Sequence, residues 1–131
     1  MMRIMKKRHK PTDSELAILR VLWNRGPSTV RQVQDELSKN KKTGYTTVLK
    51  FMQIMVEKGL LRRDDSPYAH IYEARVPREQ TQRNIVADLL DRVFDGSMSH
   101  LVVQALAAKG ATSEELSEIR KILKKYERGD Q

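Results

Sequence analysis

The chain contains no cysteine, which excludes disulfides, thiolate nucleophiles and cysteine metal sites. Its histidines number 3; His9, His70 and His100 are scattered, with no His-x-x-x-His or paired-carboxylate spacing near them, so no metal site is expected. There is no glycine-rich phosphate loop and no nucleophile motif. Asp64-Asp65 and Asp91 with Asp95 read as a turn and a helix face rather than acid–base pairs. No enzyme and no cofactor are expected. No run approaches the ~20 apolar residues needed to cross a bilayer, and Met1–Lys10 lacks the apolar stretch of a signal peptide. The expectation is a cytoplasmic chain with no membrane insertion.

What is plentiful is positive charge in one half. The 131 residues carry a formal net charge of +8. Residues 1–63 hold 15 Lys and Arg against 5 Asp and Glu, whereas residues 64–131 hold 10 against 12. A positive field confined to one half favours polyanions, nucleic acid first and acidic lipid second.

Within that half, Tyr45 to Lys58 reads as one helix, opened by Thr43-Gly44 and closed by Gly59. At roughly 100° per residue, Val48, Met52, Met55 and Val56 share an apolar side with Tyr45 and Leu49 beside it. Thr46, Lys50, Gln53 and Glu57 line the other side. Hydroxyls, an ammonium and an amide therefore lie toward the amino end and the acid at the far end. A helix entering a DNA groove amino end first requires that order.

The remaining elements form a consistent sequence around it. Met1–Lys10 is a basic arm, residues 1–10, that reads as a solvated terminus or as extra phosphate contacts. Thr12-Asp13-Ser14-Glu15 has capping-box spacing and opens a helix to about Asn24 with Leu16, Leu19 and Trp23 in one stripe. After Gly26-Pro27, Ser28 or Thr29 caps a short helix bearing Val30, Val33 and Leu37 inward. Leu60–Arg63 and Ala69–Ala74 read as strands joined by Asp64-Asp65-Ser66-Pro67. Three helices and a hairpin make residues 11–76 a winged helix-turn-helix unit. Residues 77–131 read as three amphipathic helices with too little bulk to bury their own apolar rows. The fold class is mainly α with a small β wing, and residues 77–131 are expected to form a helical dimerisation domain. Ile85, Leu89, Val93, Leu101, Leu106, Leu116, Ile119 and Leu123 are its expected contacts in a homodimer.

Pro11-Thr12-Asp13-Ser14-Glu15-Leu16, Val21-Leu22-Trp23, Thr29-Val30-Arg31-Gln32-Val33, Tyr45-Thr46-Thr47-Val48, Glu57-Lys58-Gly59-Leu60-Leu61 and Val93-Phe94-Asp95-Gly96-Ser97 occur in this order. Together they resemble the penicillinase-repressor family, also called BlaI/MecI/CopY, over Pro11 to Tyr126. The resemblance implies a dimeric repressor of β-lactamase or other antibiotic-resistance genes that binds double-stranded DNA at a palindromic operator. It also implies a membrane sensor-protease whose activation leads to cleavage in the dimerisation helices. The position equivalent to the family's Asn–Phe cleavage pair is about Gln104–Ala105, and neither residue matches. The cysteine motif of copper-sensing relatives is missing. By resemblance Thr46, Thr47 and Lys50 are recognition-helix contacts. Tyr45 is grouped with them, Arg31 and Gln32 are expected at the DNA backbone, and Arg62 and Arg63 flank the wing, at least one reaching phosphate. Two rival readings stand beside this one: a winged-helix regulator answering a small ligand, and a winged-helix module that binds a protein instead of DNA.

Overall fold

Thr12 starts the first helix by the mechanism its spacing predicts. In the computed structural model, which describes residues 10–65 and 67–129, the Thr12 hydroxyl accepts from the Glu15 amide at 3.2 Å, and the Thr12 amide donates to Glu15 Oε1 at 3.0 Å. The helix so opened, α1, runs Asp13–Arg25 and ends at Gly26. Thr29 and Gln32 make the same reciprocal pair at the start of α2, Val30–Ser38. Ser28, the other expected cap, is instead buried, and its backbone pairs with that of Tyr72 through two hydrogen bonds. α3 runs Tyr45–Lys58 and closes on Gly59 in the left-handed conformation, φ 84°. The Leu60 amide then reaches back to the Met55 carbonyl at 2.9 Å, satisfying an end carbonyl as a glycine-terminated helix must. All but Lys10 of the basic arm lies outside the described residues.

The wing is β1, Leu61–Asp65, antiparallel to β2, His70–Ala74, with Leu61 opposite Ala74 and Asp65 opposite His70. It starts one residue later than expected because the Leu60 amide closes α3. It extends through Asp64 and Asp65, which the sequence suggested were turn, since both find partners in Ile71 and His70. Ala69 falls outside the strand.

One core joins these elements: Ile18, Leu19 and Leu22 of α1, Val30 and Val33 of α2, Val48, Met52 and Met55 of α3, with Leu60, Leu61 and Tyr72. Each large apolar side chain removed from water here contributes about 1.5–3 kcal/mol. Glu15 is buried among them, and its Oε2 accepts from the Lys58 ammonium at 2.7 Å, tying the start of α1 to the end of α3. Trp23 is half-buried against the core, and its Nε1 donates to the Val76 carbonyl at 2.9 Å. This arrangement is the winged helix-turn-helix expected from the sequence.

α4 follows, Arg78–Val93, and the described chain divides by contacts between Val86 and Ala87. The second unit contains the end of α4, then α5, Met98–Lys109, and α6, Ser113–Glu127. Asp95 and Gly96 turn the chain with positive φ, and Ser97 caps α5. Thr112 and Glu115 form a third capping box. No residue of α5 or α6 is buried. Among the described residues, no helix is long and apolar enough to cross a membrane.

Candidate nucleic-acid interface

The inward residues of α3 leave an arc of side chains free. Val48, Met52 and Met55 are at most 1% exposed, whereas Thr46, Thr47, Lys50, Gln53, Ile54 and Glu57 are all exposed. Thr46, Thr47 and Lys50 thus share one solvent-facing surface. Lys50 has no ion pair with any described residue, so its charge stands unneutralised on that surface. Tyr45, placed beside the apolar side by sequence, is 42% exposed. The Arg31 guanidinium lies over its ring.

Arg31 and Gln32 open α2 and are exposed. Gln32 Oε1 is occupied by the Thr29 amide at 2.9 Å, which leaves its amide nitrogen as the group that can reach a phosphate. The connection from α2 to α3 is folded by Thr43. Its carbonyl accepts from Gln34 Nε2 at 3.2 Å and from the Ser38 hydroxyl at 3.3 Å, and its own hydroxyl donates to the Lys41 carbonyl at 2.7 Å. Lys41 and Lys42 are thereby held exposed just before the amino end of α3, which Gly44 leaves without a side-chain cap. The sequence reading did not single out these two lysines. The signal was a basic pair just ahead of a helix whose N-cap position is a glycine, which has no side chain to cap it.

On the wing, Arg62 and Arg63 are exposed but not idle. Arg62 pairs with Glu73, its neighbour across the strands. Arg63 Nε donates to Asp65 at 2.7 Å, and the same carboxylate oxygen stands 3.1 Å from His70 Nδ1. The Tyr72 hydroxyl first, and Asp65 second, push the Arg63 guanidinium pKa above its already high ordinary value. Any phosphate reached by either arginine must share it with a carboxylate. Among the described residues no group of His, Asp or Glu could hold a metal.

Of the residues expected to hold two copies together, Ile85, Leu101 and Leu116 are partly covered, and Leu89, Val93, Leu106, Ile119 and Leu123 are exposed. Val102, Val103, Ile122 and Tyr126, outside that list, are exposed as well. Gln104 and Ala105 lie in the interior of α5, and Gln104 Nε2 is 3.4 Å from His100 Nε2.

A family model described as penicillinase repressor matches residues 11–125. The transcriptional regulator BlaI of Mycobacterium tuberculosis is 32% identical over 127 residues, covering 95% of this chain and 91% of that one. A penicillinase repressor of Bacillus licheniformis is 23% identical over 122 residues, covering 93% of this chain and 95% of its own length. Among solved structures, a MarR family protein from Bacillus stearothermophilus shares the fold at a TM-score of 0.51 and 16% identity, over 92% of this chain and 76% of that one. The matched span runs from the residue before the first cap into the last turns of α6, and the chain belongs to the penicillinase repressor family.

Proposed function

We propose that this protein is a DNA-binding transcriptional repressor of a β-lactamase or related antibiotic-resistance operon, acting as a homodimer on a palindromic operator. One observation carries the DNA reading. The exposed arc of α3 bears hydroxyls and an unpaired ammonium in its first two turns, beside exposed cations from α2 and the connecting loop. In this reading α3 enters the major groove amino end first, where Lys50 meets a guanine or a phosphate and Thr46 and Thr47 a base edge or phosphate. Arg31, Gln32, Lys41 and Lys42 contact the backbone and fix the register. The names of the relatives, a transcriptional regulator and a penicillinase repressor, agree with a repressor.

The homodimer is supported by the exposed apolar side chains of α4, α5 and α6, since the apolar stripe of an amphipathic helix is ordinarily buried against another surface. Release by proteolysis completes the reading: a membrane sensor-protease system would sever the helices that hold the dimer. Gln104–Ala105 sits within a regular helical turn, so cleavage there requires α5 to unwind first, exposed loops being the usual sites of nicking.

The test is selection from a random duplex pool by the purified protein, followed by titration of the selected and a scrambled duplex at two salt concentrations. A palindrome whose half-sites lie about one helical turn apart, bound specifically at the higher salt, is the expected result. No enrichment would remove the DNA reading. The small-ligand reading has its own observation, a half-open crevice of about 510 Å³ floored by Ala17, Ile18, Leu37, Val48 and Phe51 beside the start of α3. A ligand seated there would reach α3 directly. A compound class that lowers operator affinity in the wild type, and not when Ala17 is enlarged to Leu, would favour it.

A further inference from the structure

Among the exposed residues of α3, Ile54 is the one that the polar, DNA-facing reading does not use. It is 36% exposed, on a helix whose other apolar residues of the middle turns are buried or packed against the core. At roughly 100° per residue, Ile54 projects about 40° from Lys50 and about 20° from Thr47, and about 160° from Met52 in the core. It therefore stands near the centre of the exposed arc, one turn beyond Lys50. Helix propensity does not favour a β-branched side chain there. Such residues lose rotamer freedom in a helix, and the straight-chain residues favoured on solvated helix faces would serve α3 better.

The surroundings limit what can cover it. Of its neighbours at one turn or less, Lys50, Gln53, Glu57 and Lys58 are exposed and polar, and Phe51 is turned partly into the core, so little apolar surface extends from Ile54 to receive a protein partner. An isolated apolar group ringed by hydrogen-bonding groups fits a surface that offers methyl groups singly among donors and acceptors. The floor of the DNA major groove is such a surface, because each thymine presents its C5-methyl beside a carbonyl acceptor. Four residues of helix advance about 6 Å, close to two base-pair steps of about 3.4 Å. We infer that Ile54 is a specificity-determining residue that packs on the C5-methyl of a thymine about two base pairs from the position met by Lys50. This rests on the DNA-binding reading above, and it adds an apolar element to a recognition surface otherwise made of hydroxyls, an amide and a cation.

The experiment starts from the duplex that the wild-type protein selects. Each thymine is replaced singly by uracil, which removes the methyl and keeps every hydrogen-bonding group. Affinities are measured for wild type, Ile54→Ala and Ile54→Val, with thermal midpoints recorded to confirm that all three fold. One thymine in each half-site is expected to report: its replacement weakens wild type by about three- to tenfold, the size of one buried methyl contact. Ile54→Ala should bind the unmodified duplex more weakly by a similar factor and be indifferent to that replacement. Ile54→Val, which keeps a branched apolar surface, should retain part of the discrimination. If no uracil substitution affects wild type, or Ile54→Ala responds to every substitution as wild type does, the inference is overturned. Failure of the DNA reading itself is distinguishable, because the wild-type protein would then select no duplex at all.

Discussion

The Arg31 guanidinium lies 5.3 Å from the centre of the Tyr45 ring, joining the first turn of α2 to the first residue of α3. A cation over an aromatic face at this range contributes about 0.5–1 kcal/mol when exposed. Its larger effect is to hold an arginine in place at the point where the two helices approach the proposed phosphate path. Tyr45→Phe should therefore preserve DNA affinity, and Tyr45→Ala should lower it. Arg31→Ala should weaken binding about equally for specific and scrambled duplexes and reduce the salt slope by about one. A loss confined to the specific duplex would make Arg31 a base contact instead.

Lys50→Ala should weaken binding of the selected duplex by about 1–3 kcal/mol and leave the thermal midpoint unchanged, since the side chain is exposed and unpaired. Calorimetry and a binding isotherm on the same preparation check both halves. Unfolding of this variant would mean that the outward face of α3 is misassigned.

Glu15 links pH to stability. Burial raises its carboxyl pKa, but the Lys58 ammonium and the Thr12 amide and hydroxyl outweigh burial and leave it below the ordinary carboxylate value. A carboxylate depressed in the native state stabilises it above the unfolded-state pKa, and that stability is lost as pH falls through the native value. Thermal midpoints of wild type should thus fall as pH drops below the unfolded-state value of about 4.3. Glu15→Gln should start lower at pH 7 and lose less over the same range. Lys58 is half exposed, so solvent moderates the effect. Parallel curves for the two proteins would exclude Glu15 as the titrating group.

The wing supplies an opposite-signed prediction. Glu73→Gln frees Arg62 from its cross-strand partner and should raise DNA affinity, by at most about fivefold if one surface ion pair of up to about 1 kcal/mol is relieved. Arg62→Ala should lower affinity only if that arginine meets phosphate, and the double variant should then match Arg62→Ala alone. Measuring all three at one salt concentration decides whether the wing touches DNA.

Leu123 is 56% exposed on α6. If a second copy covers it, Leu123→Asp buries an unpaired charge, costing about 3 kcal/mol or more, and sedimentation should show monomer with weakened operator binding. An unchanged association state would remove Leu123 from the proposed interface.

Much of the fold was legible because its signals are local. The capping box at Thr12 was written in four residues and forms as spaced, and Thr29 and Thr112 close the same reciprocal pair over the same four-residue spacing. Gly59 marked the end of α3 because a left-handed residue was needed there. The wing edges were less legible, since pairing across strands, not the turn character of Asp64 and Asp65, decides where β1 stops. Ser28 could not be read either; its pairing with Tyr72 depends on a partner 44 residues away. For the recognition surface, periodicity gave the outward face of α3, whereas the Arg31–Tyr45 stack and the ion pairs of Arg62 and Arg63 arise only from tertiary placement. Lys41 and Lys42 were overlooked because a charged loop reads as solvated until the helix start it precedes is seen to lack a cap.

The carboxylates beside Arg62 and Arg63 change how a salt titration should be counted. A free lysine or arginine that meets a phosphate displaces a condensed cation into bulk solvent, and that release makes affinity fall as salt rises. Glu73 and Asp65 travel with the protein as permanent counterions for the wing. When phosphate takes an arginine, the displaced carboxylate must find mobile cations of its own, so part of what the DNA releases is taken up again. The wing can therefore grip the backbone while adding little to the salt slope, and that slope would report the contacts of α2, α3 and their connecting loop rather than the full number of phosphates held.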